Sequence, residues 1–222
     1  SYIERALTGN PKISRILVDM FKAMHDPQKV DQSEKVMIEC SAAMEAALDD
    51  VTSSDYDRIL RSLMTLVEVT LRTNYYQRQE DGSAKPYLSL KFDSNKISFM
   101  PAPRPFREIF VYSPRVEAIH LRGDMIARGG LRWSDRHEDY RTEVLGLMKA
   151  QMVKNSVIVP MGSKGGFVVK TETNSREEYI AEGIECYKTF IRGLLDITDN
   201  QAGKKILPPK NVVRRDGDDP YL

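Results

Sequence analysis

Several features that mark whole classes of protein are missing from this sequence. No apolar run approaches the roughly 20 residues that a membrane-spanning helix needs, and the start, Ser1-Tyr2-Ile3-Glu4, lacks the basic-then-apolar pattern of a signal peptide. Lys and Arg total 33 against 32 for Asp and Glu, so the formal charge of +1 creates no field that would gather nucleic acid or an anionic membrane. We therefore expect a globular cytoplasmic protein that binds neither.

Residues that bind metals or form disulfides are also scarce. Cys40 and Cys186 both fall in helical patterns far apart in the sequence, which favours two free thiols over a disulfide framework. His25, His120 and His137 have no Cys, Asp or Glu at ligand spacing. No metal site is predicted.

Nucleotide-binding motifs are missing as well. No predicted strand is followed by Gly-x-Gly-x-x-Gly, so this chain alone carries no recognisable dinucleotide site. The segment Gly162-Ser163-Lys164-Gly165 does not read as a phosphate loop, because Gly rather than Ser or Thr follows the lysine.

The patterning divides the chain into two parts. Apolar residues recur at three- and four-residue steps from about Asn10 to Gln79, which predicts helices packed as a small bundle. The third of these helices is expected to begin at an N-cap, Ser54 or Asp55, and its apolar stripe reaches Leu71. Residues 79–86 are polar and rich in helix breakers, so we predict a helical segment over 1–82 and a second domain over 83–222.

In the second part the period changes to that of strands. Alternating apolar residues predict strands at 88–92, 109–111 and 116–121, and short strands are expected at 156–160 and 167–169. A helix is predicted from Arg141 to about Asn155. Another follows the capping residue Ser175, with an inward face that includes Tyr179, Ile184, Tyr187, Phe190, Ile191 and Leu194. This order predicts an α/β (α+β) fold in which helices flank a mixed sheet.

Two glycine-bearing stretches carry the candidate chemistry. They are 127–134, with Arg128 and Arg132, and 160–166, with Lys164. Read as flexible turns, their glycines would permit positive φ and close approach of a ligand, while the cations would bind an anion such as a small carboxylate. Ordinary exposed cations in surface loops are the alternative reading.

A second lysine gives Lys164 a chemical context. Lys154 ends the predicted helix that precedes Lys164, and one predicted strand separates the two residues. Both lysines are therefore expected at the same end of the sheet. Two positive charges that lie so near each other favour the neutral form of the lysine amine. The neutral amine can act as a base or activate water.

These stretches resemble a known enzyme family. The order Arg128-Gly129-Gly130-Leu131-Arg132, a helix ending at Lys154, and Pro160-Met161-Gly162-Ser163-Lys164-Gly165-Gly166 is similar to the first domain of the glutamate dehydrogenase superfamily. The longer sequence that starts with residues 130–136 and runs to Lys170 resembles in particular that of the very large bacterial NAD-dependent glutamate dehydrogenases. The resemblance covers roughly Pro86 to Leu222.

The resemblance implies a role for each matching residue. Lys164 would be the catalytic lysine that activates water, and Lys154 would bind the α-carboxylate of glutamate. Arg128 stands where smaller members have a lysine that grips the side-chain carboxylate. Gly130 and Met161 would line the substrate site, with Arg132 as a supporting residue. The loop before Lys164 is one residue shorter than the usual Pro-Met-Gly-Gly-x-Lys-Gly-Gly.

The implied reaction is NAD-dependent oxidation of L-glutamate to 2-oxoglutarate and ammonia. In this family a catalytic aspartate and the nucleotide-binding domain follow later in the chain. The resemblance therefore implies that the sequence is a piece of a homo-oligomeric parent, that NAD binds mainly outside it, and that the piece alone is inactive. A non-catalytic regulatory or interaction module, and an amino-acid dehydrogenase of other side-chain specificity, stay open as alternatives.

Overall fold

The computed structural model describes residues 1–154 and 161–222, with the backbone alone for residues 152–154. The described chain forms two compact units, Ser1–Thr70 and Leu71–Leu222. Helices make up the first unit, and the second is built on a six-stranded mixed sheet with helices. The predicted fold class is confirmed. None of the described helices is long and apolar enough to cross a membrane.

Four α-helices form the first unit: α1 (Tyr2–Gly9), α2 (Pro11–His25), α3 (Ser33–Leu48) and α4 (Ser54–Glu68). The periodic apolar residues of these helices meet in one core of Ala6, Ile13, Leu17, Met44, Ala47, Leu48 and Leu60. The hydroxyl oxygen of Ser53 accepts a hydrogen bond from the backbone N–H of Tyr56, so the N-cap of α4 lies one residue before the predicted Ser54.

The end of α4 was predicted too late, because its apolar stripe continues in the sequence to Leu71. The helix stops at Glu68, and Thr70–Thr73 form the first strand, β1. All four residues of β1 are buried, and Arg72 is held there by carboxylates of the second unit's tail. The compact units therefore divide between Thr70 and Leu71, whereas the sequence pattern placed the boundary between residues 82 and 83.

The sheet continues with β2 (Leu88–Phe92), β3 (Arg107–Tyr112), β4 (Val116–Arg122), β5 (Arg128–Trp133) and β6 (Gly162–Val169). Its spatial order is β1-β2-β3-β4-β6-β5, with β2, β3, β4 and β6 antiparallel and β5 parallel to β6. Helix α5 (Tyr140–Lys154) connects β5 to β6, as a parallel pair requires. The strand predicted over 156–160 falls on 155–160, outside the described residues.

The two faces of the sheet are covered by different helices. Helix α6 (Arg176–Asp196) packs on one face over a core that includes Val111, Ala118, Phe167 and Phe190. Helix α5 packs on the other, where Leu121 and Val168 meet Val144, Leu145 and Met148. A short hairpin of β7 (Asn200–Ala202) and β8 (Lys205–Leu207) follows α6.

Helix α6 begins as predicted, since Ser175 caps it by accepting a hydrogen bond from the N–H of Glu178. Its inward face was predicted correctly only in part: Phe190 and Leu194 are buried in the core and Ile191 packs against it. Ile184 and Tyr187 are 48% and 45% exposed, and the buried positions include Gly183 and Gly193. A Cβ on Gly193 would lie 2.7 Å from Val111 Cγ1, so the close approach of α6 to the sheet at this position requires glycine.

The tail of the chain is fastened to the sheet by a buried network of charges. Asp219 accepts from both terminal nitrogens of Arg122 and from Lys91 Nζ at 2.7 Å. Arg72 Nε donates to Asp216 at 2.6 Å, and its Nη2 donates to Asp199 at 3.1 Å. Burial on its own would raise the pKa of the Asp219 carboxyl, but Arg122 and Lys91 lower it to about 2.

Replacement of Asp219 tests this network. We expect Asp219→Asn to lower the free energy of unfolding by roughly 3–5 kcal/mol, because Arg122 and Lys91 stay buried without their shared counter-charge. Urea unfolding followed by the fluorescence of Trp133, the one tryptophan of the chain, measures this in the sheet unit.

Asp218→Asn is the matched control, since the Asp218 side chain is 60% exposed and should cost less than about 1 kcal/mol. The depressed pKa of Asp219 also fixes the pH dependence. The advantage of wild type over Asp219→Asn is full above an unfolded-state pKa of about 3.9. It is lost as the pH falls towards about 2. Equal stabilities at pH 7 would contradict the assignment.

Candidate functional site

Lys164 lies inside strand β6 rather than in a loop, which corrects the sequence prediction. It pairs with Leu121 of β4 on one side and with Gly130 of β5 on the other. Hydrogen bonding from both neighbours keeps this glycine-rich segment extended. The Arg128–Arg132 stretch is likewise a strand, β5, and not a flexible turn.

The register of β5 and β6 gathers the candidate residues on one face of the sheet. Arg128 pairs with Gly162, Gly130 with Lys164, and Arg132 with Gly166. Alternate residues of a strand share a face, so all six lie on the same side. That side is the one covered by α5, because a Cβ on Gly166 would lie 2.5 Å from Val144 Cγ2.

The glycines of β6 serve packing rather than turning. In the described part of the chain the glycines with positive φ are Gly82 and Gly203, neither of which is in β5 or β6. A Cβ on Gly165 would overlap Leu131, and a Cβ on Gly166 would press into Val144 on the opposite face. The space beside these two glycines, where a ligand was expected, is thus occupied by the side chains of Leu131 and Val144.

Two adjacent glycines of β5 differ in the same respect. A Cβ on Gly129 would overlap the carbonyl oxygen of Ser163, so only glycine fits there. A Cβ on Gly130 would meet no described atom within 4 Å, and Gly130 is exposed. With respect to the described residues, the backbone of Gly130 therefore borders open space directly beside Lys164.

The cations of this face differ in how they are engaged. Arg132 Nε lies 2.9 Å from Glu143 Oε1, and the other oxygen of Glu143 accepts from Ser134 Oγ at 2.6 Å. With the residues that the structure describes, the side chains of Arg128 and Lys164 make no hydrogen bond or salt bridge. Arg132 is thus neutralised locally, whereas Arg128 and Lys164 are the cations left to meet an anion.

The position of Arg128 is set through its backbone. Its N–H donates to the carbonyl of Met161 at 3.0 Å, which puts the half-exposed Met161 beside it. Its carbonyl accepts from Gln151 Nε2 at 2.8 Å, while Gln151 Oε1 is buried without a partner among the described residues. Sequence reasoning missed Gln151, although its place three residues before Lys154 puts both on one face of α5.

Lys154 is the last residue of α5. Its side chain lies outside the described residues, as do residues 155–160. The predicted approach of Lys154 to Lys164, and the effect of the shortened loop, are therefore left as predictions.

Among the described residues, no group of three or more His, Cys, Asp and Glu could hold a metal ion. His120 is buried, and that burial, together with the charge of Arg122, lowers its pKa to about 4. It lies on the α6 face, away from Lys164.

Comparison with known proteins gives consistent matches. The family described as bacterial NAD-glutamate dehydrogenase, catalytic domain, matches residues 43–222. The match begins within α3, whereas the resemblance seen in the sequence was expected to begin near Pro86. The whole chain is similar to NAD-specific glutamate dehydrogenases of Halomonas elongata (55% identical), Pseudomonas aeruginosa (52%) and Mycobacterium tuberculosis (51%). It spans 14% of the length of each.

The two neighbouring glycines of β5 provide a test of this geometry. We expect Gly129→Ala to lower the free energy of unfolding by roughly 1–3 kcal/mol or more, because the methyl group would displace the β6 backbone at Ser163. Gly130→Ala, one residue along the same strand, should change it by less than about 1 kcal/mol. Trp133 fluorescence in urea measures both, and equal losses in the two variants would refute the close approach.

Proposed function

This chain belongs to the bacterial NAD-glutamate dehydrogenase catalytic-domain family, and we propose that it supplies the substrate-binding half of an active site that oxidises L-glutamate. The observation that carries the proposal is the register that puts Arg128, Gly130 and Lys164 on one face of adjacent strands. Two cations there flank an open glycine, which suits a small ligand with negative charges.

Each carboxylate of glutamate has a proposed cation. Arg128 grips the side-chain carboxylate, since a guanidinium can bind a carboxylate through two parallel hydrogen bonds. Lys154 binds the α-carboxylate. Met161, hydrogen-bonded through its carbonyl to Arg128, lines the substrate between them. A cation at position 128 favours glutamate over an amino acid with an aliphatic or aromatic side chain.

When bound, NAD would supply the acceptor for the hydride that leaves Cα of the substrate. The described residues do not fit a dinucleotide, because no strand in them leads through Gly-x-Gly-x-x-Gly into a helix. We therefore propose that NAD is held by another part of the longer protein, and we assign no contact with it to this chain.

Lys164 acts on the imine that oxidation leaves at Cα. Its neutral amine takes a proton from water as the water oxygen attacks that carbon, which gives a carbinolamine. The resulting ammonium returns the proton to the nitrogen. The neutral amine of Lys164 then takes the hydroxyl proton as the C–N bond breaks, which releases ammonia and the ketone of 2-oxoglutarate. Arg128 and Lys154 meanwhile hold the two carboxylates, so that the reacting carbon stays in place.

Cytoplasmic location stays a prediction from the sequence pattern, and assembly of the longer protein as a homo-oligomer stays a prediction from the family resemblance.

Lys164→Ala tests the catalytic role. In the full-length protein we expect the rate of NAD-dependent glutamate oxidation, measured as NADH absorbance, to fall about 10²- to 10⁴-fold. The reason is that general acid–base catalysis is removed. Lys170→Ala is the control: Lys170 follows the same strand but pairs with Glu117, and its loss should leave the rate nearly unchanged. Unaltered turnover in Lys164→Ala would eliminate Lys164 as the catalytic group.

Arg128→Gln tests substrate recognition separately from chemistry. We expect kcat/KM for glutamate to fall about 10- to 100-fold, because a charge-assisted pair of hydrogen bonds is lost. Norvaline, which has the same chain without the distal carboxylate, should lose far less. A similar loss for both amino acids would show that Arg128 does not read the side-chain carboxylate.

A further inference from the structure

A cleft of about 350 Å³ opens at the end of the sheet opposite Lys164. It lies between the start of β2, the turn from β3 to β4, and the segment that follows β1. Tyr112 on its wall is in register with Glu117, which pairs with Val168 of β6. Val168 is four residues from Lys164, or about 13 Å along the strand, so the cleft is separate from the proposed catalytic face.

Aromatic rings form much of the wall. Tyr75, Tyr87 and Tyr112 all line the cleft, and Tyr75 and Tyr112 are 43% and 40% exposed. A tyrosine ring presents a flat apolar face that can stack on a planar ligand. The volume is that of a small-molecule site rather than of a surface for a folded partner.

Positive charge surrounds these rings. Lys170 Nζ lies 4.6 Å from the ring centre of Tyr112 and Lys85 Nζ 5.7 Å from that of Tyr87. Each lysine has its own carboxylate, with Lys170 on Glu117 at 2.8 Å and Lys85 on Asp196 at 2.5 Å. Because both pairs are neutral, the net positive charge at the cleft comes from Arg78, which lines it together with Lys85.

Arg78 is held in place without a carboxylate. Its Nη1 donates to the carbonyl oxygens of Tyr75 and Gln77 at 3.0 and 2.9 Å, and no acidic side chain of the described residues forms a salt bridge with it. The other edge of the guanidinium keeps its donors for a ligand.

The segment that carries Arg78 is an ordered hairpin, although the composition of residues 79–86 predicted a domain boundary there. Arg78 and Ala84 form a bridge, and the N–H of Gln79 donates to the Ser83 carbonyl at 2.9 Å. Asp81 accepts from both the N–H and the hydroxyl of Ser83. This local order fixes the guanidinium at the rim before any ligand arrives, which lowers the entropic cost of binding.

We propose that this cleft is a binding site for a small planar aromatic anion, whose ring stacks on the tyrosines and whose carboxylate or phosphate pairs with Arg78. The site is distinct from the glutamate site, and it stands on different residues.

Calorimetric titration with four probes tests the proposal. The anions are indole-3-acetate, which offers a carboxylate, and phenyl phosphate, which offers a phosphate; indole-3-acetamide and phenol are their neutral counterparts. We expect at least one anion to bind with a Kd below about 1 mM, and at least tenfold more tightly than its neutral counterpart. Which anion binds identifies the acidic group.

Two variants, each of which removes one positive charge, locate the binding site. Arg78→Gln should weaken the anion at least tenfold while leaving the unfolding midpoint unchanged, because Arg78 is exposed. Arg128→Gln should leave the affinity as in wild type. Absence of binding by both anions, equal affinity for the neutral probes, or loss of binding in Arg128→Gln but not in Arg78→Gln would each overturn the proposal. None of these results depends on glutamate oxidation.

Discussion

The requirement that a buried charge be paired organises the sheet unit. Arg72, Lys91 and Arg122 come from three different strands, and each is almost completely buried. Isolated in that position, any of them would carry a large desolvation penalty. Asp199, Asp216 and Asp219 remove that penalty by closing over the same end of the sheet. The tail is thereby tied to strands β1, β2 and β4.

This network and the candidate catalytic face occupy opposite sides of one sheet end. Arg122 is in register with Ser163, the residue before Lys164, so the tail stiffens β4 and β6 from the α6 side while Lys164 faces α5. Preorganised cations bind carboxylates best when their own positions are fixed. Buried ion pairs on one face can thus support exposed cations on the other.

Local sequence signals predicted those parts of the fold that depend on local chemistry. Alternation found β2, β3 and β4, and Ser175 marked the start of α6, because side-chain period and capping are read within a few residues. Strand β1 was missed, since the apolar steps leading to Leu71 continue a helical pattern. No role was predicted for the aspartates near the C-terminal end, because the pairing of Asp216 with Arg72 joins residues more than a hundred positions apart in the sequence. Motif order identified Lys164 and Arg128 as candidates, but their setting in strands depends on pairing that no local window contains.

The paired glycines of β6 limit how this sequence can change. Gly165 and Gly166 face opposite sides of the sheet, and the space beside each is already filled, by Leu131 on one side and Val144 on the other. No single replacement at either position can be accommodated without a change in its neighbour. The order of substitutions along a lineage is therefore constrained, and a larger residue at 166 becomes accessible only after Val144 has become smaller.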